Sequence, residues 1–157
     1  MTRLDLHLHT FYSDGDRSPA EVVELAHRAQ VMAMAITDHD STAGVVEAVT
    51  VGQQVGIKVI PGVEVSARYQ GKETHILGYG IDPMYFPFQE RLRWLRESRV
   101  RRVRDIVERL RHLGLSIQYE DIQTVAGAGA IGRPHIAQVL LDRGYVHTIH
   151  EAFEAYL

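Results

Sequence analysis

Leu4-Asp5-Leu6-His7-Leu8-His9-Thr10 alternates apolar and polar side chains, the period-two pattern of a half-buried β-strand. Side chains two apart on a strand project to the same side, so His7 and His9 converge near one strand end. Imidazole pairs of this kind suit zinc, manganese or iron; the plainer alternative is two polar residues on a solvated face. Working outward, residues 10–17 form a turn-rich loop that carries Asp14. Ser18-Pro19-Ala20-Glu21 then reads as a helix start, with Ser18 as N-cap, Pro19 in the first turn and Glu21 closing a capping box. Met32 to Thr37 is a short apolar run read as a buried strand, followed at once by Asp38-His39-Asp40. A second helix is expected from Thr42 to Gln54, ended by Gly56. Val59 to Val65 reads as a third strand, interrupted by Pro61-Gly62 and bearing Glu64 near its end. Glu73 to Gly80 reads as a fourth, after a turn at Gln70-Gly71, and carries His75.

Strand, helix, strand, helix, strand is the order of a parallel sheet with crossover helices, so the fold class is α/β. In such sheets ligands lie at the carboxyl ends of the strands, which gathers the polar clusters on one face. Each of the four strand units brings a carboxylate or an imidazole there, and chance placement of polar residues does not explain four repeats. The chain has no cysteine, so a metal must be held by His, Asp and Glu; nine histidines in 157 residues is a high supply. A composition of 45% hydrophobic and 24% charged residues excludes a disordered or fibrous chain. The N-terminal residues lack the apolar run of a signal peptide, and no stretch has the length of a membrane span, so a cytoplasmic protein with no membrane partner is expected.

Beyond Gly80 the character changes. Ile81 to Phe88 holds two prolines and reads as a linker. Residues 90–111 contain nine Arg against four acids, with Leu92, Leu95, Val103, Ile106 and Leu110 at helical spacing. This is one long amphipathic helix, and its arginines read more readily as a solvated face than as a nucleic-acid surface. Short helices are expected at 119–125, 134–143 and from 148 onward, with a glycine-rich loop at 127–132. The chain thus divides into residues 1–80, the strand-bearing part, and 81–157, a mostly helical part.

Taken in order, His7-Leu8-His9-Thr10, Ser13-Asp14-Gly15, Thr37-Asp38-His39-Asp40, Pro61-Gly62-Val63-Glu64 and Thr74-His75-Ile76-Leu77-Gly78-Tyr79 resemble the PHP (polymerase and histidinol phosphatase) family. The resemblance implies a seven-stranded (β/α) barrel, of which this chain carries the first four strand units plus a helical insertion. It also implies two to three divalent metal ions (Mn, Zn or Fe) and phosphoester hydrolysis by a metal-activated water. Carried over residue by residue, the metal ligands are His7, His9, Asp14, His39, Glu64 and His75. Asp14, His39 and Asp38 are assigned to catalysis, with Asp38 orienting an imidazole from behind. Ala130-Ile131-Gly132-Arg133-Pro134-His135 resembles the insertion of PHP proteins that act on nucleoside 3′,5′-bisphosphates and short RNA 5′ ends. A helix start there attracts anions; Arg133 and His135 are the expected phosphate-binding pair. The plain alternative for that segment is a structural turn with a packed histidine.

The family pattern includes a later histidine and an Asp-x-His motif, and no Asp-x-His follows His75. The chain is therefore expected to be the front of a longer barrel, weakly active alone, with an open sheet edge that favours self-association. Other readings are a histidinol-phosphate phosphatase, which the Gly-Arg-Pro-His segment argues against, and an inactive metal-binding fragment or interaction module.

Overall fold

The computed structural model describes residues 3–157. Four strands, β1 (Arg3–Leu8), β2 (Val31–Ile36), β3 (Lys58–Tyr69) and β4 (Lys72–Tyr79), lie side by side in chain order as one curled sheet. Helices α1 (Pro19–Arg28) and α2 (Val45–Val55) connect the first three strands, which run parallel. Ser18 caps α1 through the Glu21 amide, and Glu21 returns the bond to the Ser18 N–H, so the expected capping box is present. Val23, Ala26, Met34, Ile36, Ala48 and Ile57 form the core between these helices and the sheet.

The fourth strand departs from the parallel expectation. β3 and β4 are an antiparallel hairpin, with Tyr69 opposite Lys72 and the two turn residues Gln70 and Gly71 at φ 49° and 80°. A two-residue connection leaves no room for the crossover that a parallel strand needs. Nor does Pro61-Gly62 interrupt β3. The strand runs on to Tyr69, pairing with β2 up to Pro61 and with β4 from Gly62 onward. Gly62 sits where a Cβ would stand 2.8 Å from the Ile36 carbonyl oxygen, so this changeover of partners needs a residue without one.

The remaining helices are α3 (Phe86–His112), α4 (Tyr119–Ala126), α5 (Arg133–Asp142) and α6 (Ile149–Ala155). Helix α3 takes in part of the expected linker, because Pro87 fits its first turn, where no N–H partner is required. Val103, Ile106, Leu110, Ile117, Ile122, Ile136 and Leu140 build a second core, made from helices alone. No helix of the described residues is long and apolar enough to cross a membrane.

Candidate metal centre

Parallel pairing of β2 with β3 decides the centre's geometry. Past the end of β2, His39 bridges to Glu64, the Asp40 N–H donates to the Glu64 carbonyl, and the Glu64 N–H donates to the Asp38 carbonyl. His39 and Glu64 are thus lateral neighbours at the carboxyl end of the parallel ladder. β1 brings His7 and His9 beside them, and β4, from the other direction, brings His75.

All six expected ligands meet. His7, His9 and Glu64 form one group of donors; His9, Asp14 and His39 a second; His39, Glu64 and His75 a third. Within each group the ligand atoms lie within 4.8 Å of one another. Glu64 joins the first and third, with Oε2 2.8 Å from His7 Nε2, 3.1 Å from His9 Nε2 and 3.6 Å from His39 Nδ1. Its Oε1 is 2.8 Å from His75 Nδ1. Asp14 spans His9 Nδ1 at 3.1 Å and His39 Nε2 at 3.5 Å.

Burial alone would raise the carboxyls of Asp14 and Glu64, but the imidazoles around them outweigh it, and both are held below the usual carboxylate range. Burial likewise pulls His9 down, while the hydrogen bond and charge of Asp14, with Glu64 and Asp38, carry it above its ordinary value. His39 Nδ1 is buried without a hydrogen-bond partner among the described residues. A lone nitrogen beside a carboxylate oxygen, with two more imidazoles close by, is what a nitrogen- and oxygen-binding cation would satisfy.

Asp38 is fully buried but touches no imidazole. Its Oδ1 accepts from the Thr10 N–H and the Ser13 hydroxyl, and its Oδ2 from the Thr10 hydroxyl, each at 2.7 Å. Its hydrogen-bonded link to His9 runs through Ser13, whose Oγ lies 3.1 Å from His9 Nδ1. The carboxylate read as orienting an imidazole thus fastens the 10–14 loop and meets His9 by way of the Ser13 hydroxyl.

A cavity of about 110 Å³ opens beside the cluster, lined by Asp14, His39 and His75 and by Arg99, Arg102 and Arg133. Arg133 stands at the expected place but is paired with Glu73 Oε2 at 3.2 Å. His135 does not line the cavity. It is buried, its Nδ1 accepts the Gly132 N–H at 3.0 Å, and burial holds it below its ordinary pKa. It caps its own helix, and that ring nitrogen is not free for a phosphate.

Sequence reasoning missed Glu73 and the inward arginines. The Glu73 carboxylate gathers Arg102, Arg133 and His75. Its position two residues before His75, on the same strand face, was the available signal. Arg99 is buried in α3, donating to Asp40 Oδ2 at 2.5 Å and to the Ser66 hydroxyl at 2.8 Å. Asp40 also accepts the Ser66 N–H and hydroxyl, and Arg96 donates to its carbonyl. So the arginine-rich helix is only partly the solvated face expected of it: Arg96, Arg99 and Arg102 fasten it to the sheet.

The chain matches the PHP domain family over residues 5–126. It is 34% identical over 155 residues to a 5'-3' exoribonuclease of Haemophilus influenzae, covering 99% of this chain and 56% of that protein. A 3',5'-nucleoside bisphosphate phosphatase of Chromobacterium violaceum is 34% identical over 158 residues, with 100% and 55% covered. The solved structure of an amidohydrolase from Chromobacterium violaceum, with bound sulfate and no metal, superposes with a TM-score of 0.91 at 34% identity, covering 99% of this chain and 55% of that one. The chain spans about half the length of the curated relatives it matches.

Proposed function

This chain belongs to the PHP domain family, and on that premise we propose that it is the metal-binding front of a divalent-metal-dependent phosphoesterase. The substrate is a nucleoside 3′,5′-bisphosphate or a short RNA 5′ end, acted on in the cytoplasm. The observation that carries this reading is three overlapping donor groups, two of them joined at Glu64, with arginines lining the same small cavity. His7, His9, Asp14, His39, Glu64 and His75 hold two or three ions, of the class of Mn²⁺, Zn²⁺ or Fe²⁺. Bound there, such ions lower the pKa of a water and neutralise phosphoryl oxygens.

The chain's own residues do the rest. Glu64 fixes the spacing of the cluster by facing four imidazoles at once. Asp14, held firmly as a carboxylate, presents its oxygens to His9 Nδ1 and His39 Nε2. Asp38 keeps Thr10 and Ser13, and with them the loop of Asp14, in place. Arg133 receives the phosphate by exchanging its Glu73 partner for phosphoryl oxygens. Residues 81–157 act as a substrate-binding insertion.

Purified chain should retain a transition metal, measured by elemental analysis. His7→Ala with His9→Ala should lower occupancy most, since both leave one strand end. Absence of metal even after reconstitution sinks the reading. Arg133→Ala should keep the metal and weaken binding of adenosine 3′,5′-bisphosphate by ~1.5–3 kcal/mol, the usual loss for a charged hydrogen bond; an unchanged affinity makes the Gly-Arg-Pro-His segment a turn only. Phosphate release with added Mn²⁺ should be low for these 157 residues and higher in a longer chain. Light scattering on the same samples tests self-association through the sheet edge.

A further inference from the structure

The metal cavity, at about 110 Å³, has room for little more than a phosphoryl group. Glu73, Ile106, Arg102 and Arg133 line it and also line a second, larger hollow of about 700 Å³, so the two adjoin along these side chains. That volume is in the range that holds whole organic ligands. Arg68 of β3 and Arg101 and Arg109 of α3 line the hollow. All three are exposed, and none is paired with a carboxylate among the described residues; Arg109 donates only to the Asp105 carbonyl. Arg101 and Arg109 stand about 12 Å apart along the helix axis, at 1.5 Å per residue. Aromatic rings lie along the same path. Phe153 borders the metal cavity beneath the Arg133 guanidinium, and Tyr156, three residues on, borders the hollow.

We infer that this hollow is a subsite for the continuing strand of a single-stranded RNA whose 5′ end lies in the metal cavity. Arg68, Arg101 and Arg109 take successive phosphates, and Phe153 and Tyr156 offer faces for bases. Unpaired cations spaced along a groove fit a polyanion, and rings beside them select nucleic acid over an acidic peptide. The inference rests on the phosphoesterase reading and sharpens it: a mononucleotide bisphosphate places one phosphate in the cavity and reaches no farther than the near end of the groove, and only an oligonucleotide uses its length.

The test is fluorescence anisotropy on the full chain with two probes. One is adenosine 3′,5′-bisphosphate; the other is a 5′-phosphorylated hexaribonucleotide with phosphorothioate linkages. With three phosphates neutralised in the groove, hexanucleotide affinity beyond that of the mononucleotide should fall about 20-fold between 50 and 200 mM salt, and in Arg101→Ala/Arg109→Ala only about threefold. Both arginines are exposed helix residues, and circular dichroism verifies the fold. A hexanucleotide that binds no tighter than the bisphosphate overturns the groove while leaving the metal reading intact. A bisphosphate indifferent to metal, beside a hexanucleotide with the expected salt slope, removes the metal reading and keeps the groove. Equal affinity for a polyaspartate peptide of the same charge, or a slope unchanged in the double variant, overturns strand recognition.

Discussion

Asp38 and His135 illustrate how a polar side chain's surroundings decide its use. Asp38 was read as orienting an imidazole and His135 as holding a phosphate, and each is buried with its hydrogen bonds directed into the protein. Three bonds to Asp38 hold the loop before Asp14, so it acts on the cluster by positioning that loop as well as by its charge beside His9. For His135, burial favours the neutral ring, and the folded-state pKa lies below the ordinary value of about 6.5. The unfolded chain then takes up a proton that the folded one resists. This contribution to stability is fully present above about pH 6.5 and falls by up to ~1.4 kcal/mol per pH unit below it, until the folded ring also protonates. Urea titrations at pH 8 and pH 5.5 should therefore show a smaller pH difference in His135→Gln than in the native chain. An equal difference places the titration elsewhere.

At the level of elements, the strand–helix alternation over residues 3–57 was legible because it rests on hydrophobic period and capping chemistry, both local. The six candidate ligand residues were legible as a set for a related reason: each follows or lies on a strand, and parallel pairing of β1, β2 and β3 brings all but His75 together, with His75 arriving from the antiparallel β4. Strand direction was not legible for β4, although Gln70-Gly71 between two extended runs was the hairpin signal. Arg99 went unread because charge was counted along α3 without asking which arginine falls in the apolar stripe; it sits between Leu95 and Val103, in line with both. The glycine-rich loop was visible, but its purpose is tertiary. A Cβ on Gly129 would stand 2.5 Å from the Phe11 carbonyl oxygen and 2.7 Å from that of Ser13. The Ala130 N–H donates to the Tyr12 carbonyl at 2.9 Å. This loop is seated on the one that carries Asp14. Gly129→Ala should destabilise by about 1–3 kcal/mol, as overpacking commonly does, and should also weaken metal retention. Thermal melting with and without Mn²⁺ measures both, and an unchanged melting temperature removes the seating argument.

For the whole molecule, the sheet and the helical core are joined largely along α3. The Arg99–Asp40 pair is buried on both sides, and the carboxyl of Asp40, which burial would raise, is held low by Ser66 and Arg99. Removing one partner of such a pair commonly costs about 3–5 kcal/mol, because the other charge is left uncompensated. Arg99→Met should show a loss of that order in urea unfolding, and adding Asp40→Asn should recover part of it. If the single variant is as stable as the native chain, α3 is held by its apolar contacts alone. The all-helical core behind that junction has a further consequence for descent. Val103 to Ala152 pack on one another, and no strand residue belongs to their cluster. Mutations there reach the candidate ligand side chains only through α3 and through the glycine-rich loop seated on residues 11–13. A lineage is thus free to vary this helical core while the four-stranded sheet and the cluster of His, Asp and Glu at its end keep their shape.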